Sequence, residues 1–344
     1  MAEHFAASGW RKICDKERSF LMQKIKKNTS KYSVRWNRVV CMLLAAAVIT
    51  GIFSFGTSAK SLSSGVLVSN RKLSVNVGFY ITGRPGTGLK TSQIRKVLKA
   101  VKKFSNTVRF YGAAGELEPA YKIAHDMKLT VVGTAWLSRD SAANKKEMNA
   151  LIRHCNKGYC SVACVGSETL MRGDLTESEL IRDIKYVRKR LKKKSILVTT
   201  ADDSTRLLGS PNVCAACDVL MINVYPYWGG AEVSNALEAF TASVDTVRTA
   251  YPKKKLIISE TGWPTAGKTV GQAKAGGTCA ARYFTDIRKW SVAEKIPVLW
   301  FDAADEPWKK SSEGEAGAHW GLMTKDCRLK ACYKKLSFFK RLGY

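Results

Sequence analysis

Residues 256–264 read LIISETGWP: three aliphatic residues, a serine, then Glu260 and a Thr-Gly-Trp-Pro exit. A short apolar run bounded by Gly and Pro reads as a buried strand. A carboxylate where such a run closes is delivered to the strand's carboxyl end. Residues 165–176, VGSETLMRGDLT, repeat the arrangement with Glu168. The interval is 260 − 168 = 92 residues, which at roughly 30 residues per strand-plus-helix unit spans about three units. In an eight-stranded parallel barrel the two acids would face each other across the mouth.

Working outward, short β-branched or aromatic runs alternate with helical stretches from Val75 onward, the pattern of a parallel α/β fold. Eight runs are found: Val75 to Ile81, Thr107 to Tyr111, Leu129 to Trp136, Ser161 to Glu168, Ser195 to Thr200, Val219 to Tyr225, Leu256 to Thr261 and Val298 to Asp302. Thr91 to Phe104 places Ile94, Val97, Leu98 and Val101 at helical spacing, and Thr176 with Glu179 forms a capping box opening a helix to Leu191. Eight units favour a closed (β/α)8 barrel over an open doubly wound sheet. The glycines at 83, 86 and 88 match neither a dinucleotide fingerprint nor a phosphate loop and read as a turn.

The 344 residues suffice for one large core, with an appendage at the start. Residues 1–38 are strongly basic and 39–55 run VVCMLLAAAVITGIFSF. At about 17 residues this apolar run is short for a membrane span and long for a signal peptide. The positive flank predicts a cytoplasmic start and an exported remainder. Thr57-Ser58-Ala59 resembles a small-residue cleavage site, so residues 39–59 read equally as an uncleaved signal anchor or a cleaved signal, followed by a linker over 60–74 and a barrel over 75–344. The expected location is extracytoplasmic, membrane-anchored or secreted.

Eight of the ten cysteines follow that segment, an even number in a chain whose export would permit disulfides, with Cys327–Cys332 the most local pairing. Cys214 and Cys217 have zinc-like spacing but no second such pair. The net charge of +29 predicts attraction to anionic surfaces. The stretch KYVRKRLKKK (185–194) is its densest part and reads foremost as a solvated helix face; no nucleic-acid-binding signature accompanies it.

The residues closing the runs are rich in aromatic and polar groups: Tyr80, Arg109 with Tyr111, Trp136, Glu168, Asp202, Tyr225 with Tyr227 and Trp228, Glu260 with Trp263, and Asp305-Glu306 with Trp308. Aromatic faces stack on sugar rings while acids and amides take the hydroxyls, so the set suits a carbohydrate cleft. A retaining glycosidase needs one carboxyl to protonate the leaving oxygen and another, about 5 to 5.5 Å away, to attack the anomeric carbon. Glu168 and Glu260 are the candidates, with Arg109 as a cation and Tyr225 as a donor beside the nucleophile. The residues alone leave open which glutamate plays which part. No Gly-x-Ser-x-Gly elbow or His-Glu-x-x-His helix is present, and no cofactor is implied.

At these residues the chain resembles family 17 of the glycoside hydrolases, the β-1,3-glucanases and related glucanosyltransferases of clan A, over roughly Val75 to Tyr333. The segments that carry the likeness are TVRFYG, TAWLSRD, VGSETLMRGDLT, VTTADD, INVYPYWGG, ISETGWPTAGK and DAADEPWKKSSEGEAGAHWGLM. They are most similar to the bacterial and fungal-type branches. The resemblance implies a (β/α)8 barrel acting on β-glucan, Glu168 as proton donor, Glu260 as nucleophile, and Tyr225, Trp263, Glu306 and Trp308 lining the sugar cleft.

One position departs from the family pattern. Asn is expected immediately before the acid/base glutamate, hydrogen-bonded to the sugar 2-hydroxyl, and this chain has Ser167. A shorter side chain with one donor implies weaker transition-state stabilisation. Three readings follow: a β-1,3-glucan hydrolase, a glucanosyltransferase in which a sugar hydroxyl resolves the intermediate, and a weakly active or non-catalytic polysaccharide-binding protein.

Overall fold

The computed structural model describes residues 68–344. The basic start, the apolar run and all but the end of the expected linker lie outside the described residues. Among the described residues no helix is long and apolar enough to cross a membrane.

Eight parallel strands close into a barrel in sequence order: β1 Leu73–Asn76, β2 Ser105–Arg109, β3 Thr130–Ala135, β4 Val162–Ser167, β5 Leu197–Asp203, β6 Leu220–Asn223, β7 Leu256–Thr261 and β8 Val298–Trp300. The ring is completed by β1 pairing with β8, Val75 opposite Trp300. Helices α1 Thr91–Lys102, α2 Glu118–Asp126, α3 Ser141–Asn156, α4 Glu177–Arg190, α5 Ser204–Leu208, α6 Pro211–Ala216, α7 Ala236–Ala250 and α8 Gly277–Glu294 form the outer layer. Three short helices follow β8: α9 Lys310–Glu313, α10 Ala331–Lys334 and α11 Ser337–Lys340.

The local signals behave as their chemistry requires. α1 buries Ile94, Val97, Leu98 and Val101. Thr176 caps α4, accepting from the Glu179 amide while the Glu179 carboxylate accepts from the Thr176 amide. One small cluster, Val132, Val162, Cys164, Leu197, Ala201, Val219, Met221, Ile257 and Leu299, fills the barrel interior, and a larger one lies between strands and helices. Several strands are shorter than their apolar runs, most of all the first and the last. β1 ends at Asn76 and β8 at Trp300, although the expected runs reach Ile81 and Asp302. All of the excess residues but the half-buried Tyr80 are buried in loops above the sheet, so burial rather than strand pairing makes them apolar.

All eight cysteines among the described residues are free thiols. The closest described pair is Cys155 and Cys160, with sulfurs 2.7 Å apart. The expected Cys327–Cys332 bridge is not formed: Cys327 occupies a left-handed turn, φ 63°, while the Cys332 side chain packs over Gly277. Among the described residues no group of three His, Cys, Asp or Glu could hold a metal.

Candidate active site

Glu260 is the fifth residue of β7 and is buried. It accepts from Arg109 Nη1 at 2.7 Å on Oε1 and from the Tyr225 hydroxyl at 2.9 Å on Oε2. Arg109, the last residue of β2, is fully buried and held from three sides. Its Nε donates to Thr134 Oγ1 at 3.3 Å and its Nη2 to Ser167 Oγ at 2.9 Å. Burial, reinforced by the charge of Glu260, drives the Tyr225 phenol well above its ordinary value, so it stays a donor. Tyr111 lies under the Arg109 guanidinium, 4.8 Å from carbon to ring centre, and its buried hydroxyl has no hydrogen-bond partner of acceptable geometry.

Glu168 follows β4 directly. Register slips between Cys164 and Ser167, and two left-handed residues, Gly166 at φ 80° and Glu168 at φ 55°, turn the chain at the strand's end. A Cβ at Gly166 would come within 2.9 Å of Thr169, so glycine fits this bend. The Glu168 amide still donates to Ala201 at 2.7 Å, which ties the bend to β5. Burial, then the negative charge of Glu260, push the Glu168 carboxyl up to about 8, against the opposing hydrogen bond from Asn223. Asn223 Nδ2 donates to Glu168 Oε1 at 2.8 Å, and the Ser259 hydroxyl donates to Asn223 Oδ1 at 2.6 Å, fixing which end of the amide faces the acid.

The structure gathers Arg109, Tyr111, Ser167, Glu168, Tyr225 and Glu260 at the carboxyl ends of the strands. It places three other expected cleft residues differently. Trp263 is fully buried, its indole donates to Lys274 O at 2.9 Å, and it packs on Tyr227 and Tyr283; it supports the wall and presents no face to a ligand. Glu306 is also buried, accepting from Lys309 at 2.8 Å and from the Tyr80 amide at 2.9 Å. Lys309 bridges on to Asp302 at 3.0 Å. Burial alone would lower the Lys309 ammonium, but Glu306 and Asp302 outweigh it and raise it. A Cβ at Gly78 would collide with the Glu306 carboxylate, so the β1 loop is glycine where this acid passes. Both Glu306 oxygens are thus committed to a brace between the first and last strand loops. Trp308 is half-buried, with its indole nitrogen unpartnered.

Trp136 and Trp228, by contrast, are 41% and 40% exposed. Arg172 stacks over Trp136 at 4.4 Å and is itself held by Asp174 at 2.7 Å and the Leu137 carbonyl at 2.9 Å. From the far side Glu147 accepts the Trp136, Ala113 and Ala114 amides at 3.1, 2.7 and 3.1 Å. Asn223, Arg172 and Glu147 escape sequence reading because each works through another group. The available signal for Asn223 is a polar residue closing an apolar run, and its Cα pairs in register with Glu260.

The BtgE/BtgC glycoside hydrolase domain profile matches residues 78–321. A glucan 1,3-beta-glucosidase of Arthroderma benhamiae is 30% identical over 277 residues, 74% of this chain and 89% of that protein. The glucan 1,3-beta-glucosidase of Saccharomyces cerevisiae is 28% identical, over 75% and 90%. Among solved structures, the glycoside hydrolase family 17 beta-1,3-glucanosyltransferase from Rhizomucor miehei superposes with a TM-score of 0.69 at 27% identity, covering 77% of this chain and 97% of that one. An active-site mutant of the same enzyme in complex with laminaritriose gives 0.67 at 26% over the same shares. The family resemblance read from the motifs and the closed barrel agree with these matches: this chain belongs to the BtgE/BtgC glycoside hydrolase family.

Proposed function

We propose that this chain acts on β-1,3-glucan by double displacement, with Glu168 as acid/base and Glu260 as nucleophile. The observation that carries the assignment is the asymmetry of the two carboxyls. Among the described residues no cation is in hydrogen-bond contact with Glu168, which is pushed up to about 8, so at neutral pH it holds the proton a leaving oxygen needs. Glu260 accepts from a guanidinium and a phenol on its two oxygens, the pattern of a carboxylate ready to attack.

In the first step Glu260 attacks the anomeric carbon as Glu168 protonates the departing sugar oxygen, leaving a covalent glycosyl-enzyme. In the second Glu168, now ionised, takes a proton from the incoming hydroxyl, which displaces Glu260 with overall retention. Water as that hydroxyl gives hydrolysis and a sugar gives transfer. The exposed rings of Trp136 and Trp228 offer faces on which sugars can stack in either reaction. Ser167 already accepts from Arg109 and supplies no amide to a sugar 2-hydroxyl, so turnover is expected to be modest.

The same reading includes export, with residues 39–55 as a signal anchor or a signal cleaved after residue 59, and Arg109, Tyr111, Tyr225 and Trp308 bordering the reacting sugar. The test is mass spectrometry of products from a linear β-1,3-gluco-oligosaccharide, with Glu260→Ala alongside. Shorter products alone mean hydrolysis and longer ones transfer. No change with either protein would overturn the proposed activity, and binding without turnover would favour a polysaccharide-binding role.

A further inference from the structure

The mouth of this barrel holds buried carboxylates beside a few exposed cations such as Lys268 and Lys274, whereas the opposite pole carries a dense group of lysines almost without acids. At the carboxyl ends of the strands lie the carboxylates Glu168, Asp202, Glu260, Asp302 and Glu306. The loops leading from helices back into strands lie at the opposite pole. Six of these seven loops carry lysine: three at 192–194 before β5, three at 253–255 before β7, and one each at Lys103, Lys128, Lys157 and Lys295. The one acid in all seven loops is Asp218, which is paired with Arg188 at 2.7 Å. Lys254 is partly covered and donates to the Cys217 carbonyl. The other nine are exposed and form no ion pair among the described residues. Helix dipoles favour cations within the last turn of a helix, but they do not account for runs of three beyond the helix ends.

A second, independent feature falls at this pole. The chain enters the barrel there, at Leu73, only 73 − 55 = 18 positions after the apolar run ends at Phe55. An exposed cluster of lysines is matched by phosphate-bearing lipid headgroups, each lysine near an anionic bilayer surface adding roughly five-fold to partitioning. We propose that the lysine-bearing pole docks on an anionic phospholipid bilayer, so that the mouth with Glu168 and Glu260 faces away from the membrane. This goes beyond the proposed chemistry and does not depend on it: the pole would orient the barrel whether it hydrolyses or transfers.

The full chain is bound to phosphatidylcholine vesicles with or without phosphatidylinositol, and its lysines are acetylated and mapped by mass spectrometry. Lys192, Lys193, Lys194, Lys253 and Lys255 should label at least five-fold more slowly with phosphatidylinositol, and lose that protection at about 1 M salt, where the screening length falls to about 3 Å. Lys268 and Lys274, exposed on the loop after β7 at the mouth, should label alike on both vesicles. In a chain carrying Gln at those five pole positions, Lys157 and Lys295 should lose their lipid-dependent protection, while retained thermal unfolding behaviour shows that the barrel is intact. Equal labelling on both vesicles overturns the proposal. So does protection of the same lysines by RNA or heparin without protection by phosphatidylinositol, which would assign the pole to a soluble polyanion.

Discussion

Asn223 donates its amide to the Glu168 carboxyl at 2.8 Å, from the end of the strand whose neighbour carries Glu260. Glu168 is thereby stabilised in its ionised form while burial and Glu260 oppose it. Its proton affinity is a balance, and one amide is the adjustable weight.

Replacing Asn223 with Ala removes the hydrogen bond that lowers the Glu168 proton affinity. Glu168 must be protonated to serve as acid, so the basic limb of kcat/KM, expected near pH 8, should move upward. A hydrogen bond to a charged group is worth about 1.5–3 kcal/mol, or roughly one pH unit or more. The optimum rate should fall as well, because the carboxyl loses its anchor. A basic limb that stays in place would remove Asn223 from this role.

The two glutamates should separate on leaving-group dependence. Glu168→Gln is expected to slow cleavage of oligosaccharides by about 10² to 10⁴, yet to spare formation of the glycosyl-enzyme from a dinitrophenyl glycoside, whose leaving oxygen needs no proton. Glu260→Ala should abolish both. Burst kinetics with each substrate decide, and the reverse pattern would exchange the roles.

Ser167→Asn should raise turnover on β-1,3-glucan. A missing transition-state donor of this kind costs about 10² to 10³ in rate, and part of that should return if the Asn amide reaches the sugar while Arg109 keeps its bond to Glu260. An unchanged or lower kcat would mean that another group meets the 2-hydroxyl.

Lys309→Met should be strongly destabilising, by about 3–5 kcal/mol, since it leaves Asp302 and Glu306 buried without their cation. The pH sign follows from proton uptake. Burial already raises Asp302, and losing Lys309 would raise it further, so the folded variant binds more protons than the unfolded chain. Its stability should therefore fall as pH rises and partly recover in acid. Unfolding curves across pH test this, and a uniform loss would show that packing rather than charge is responsible.

Trp263 and Trp136 should respond in opposite ways. Trp263→Ala empties a fully buried site and should cost about 3–5 kcal/mol of stability. Trp136→Ala should leave the melting temperature within a few degrees and raise KM for longer oligosaccharides several-fold. Melting and steady-state kinetics on both variants would expose any exchange of these roles.

The strand runs, the capping box at Thr176 and the glutamates closing the fourth and seventh runs were legible along the chain, because burial and helix termini impose short-range patterns on sequence. The barrel order and the carboxyl-end placement of Arg109, Tyr225, Glu168 and Glu260 follow from that periodicity. Tertiary structure alone decided which way each strand-end group faces. Glu306 and Trp263 sit among cleft motifs yet turn inward, because a buried lysine and a packed aromatic wall claim them. Asn223 looked like part of an apolar strand and instead meets the acid from two strands away. Side-chain direction at a strand end depends on partners tens of residues away, and on local register shifts such as the one at Gly166, which no local pattern encodes. The lysines were visible from the start as net charge, but their gathering at one pole required the closed barrel that brings six separate loops together.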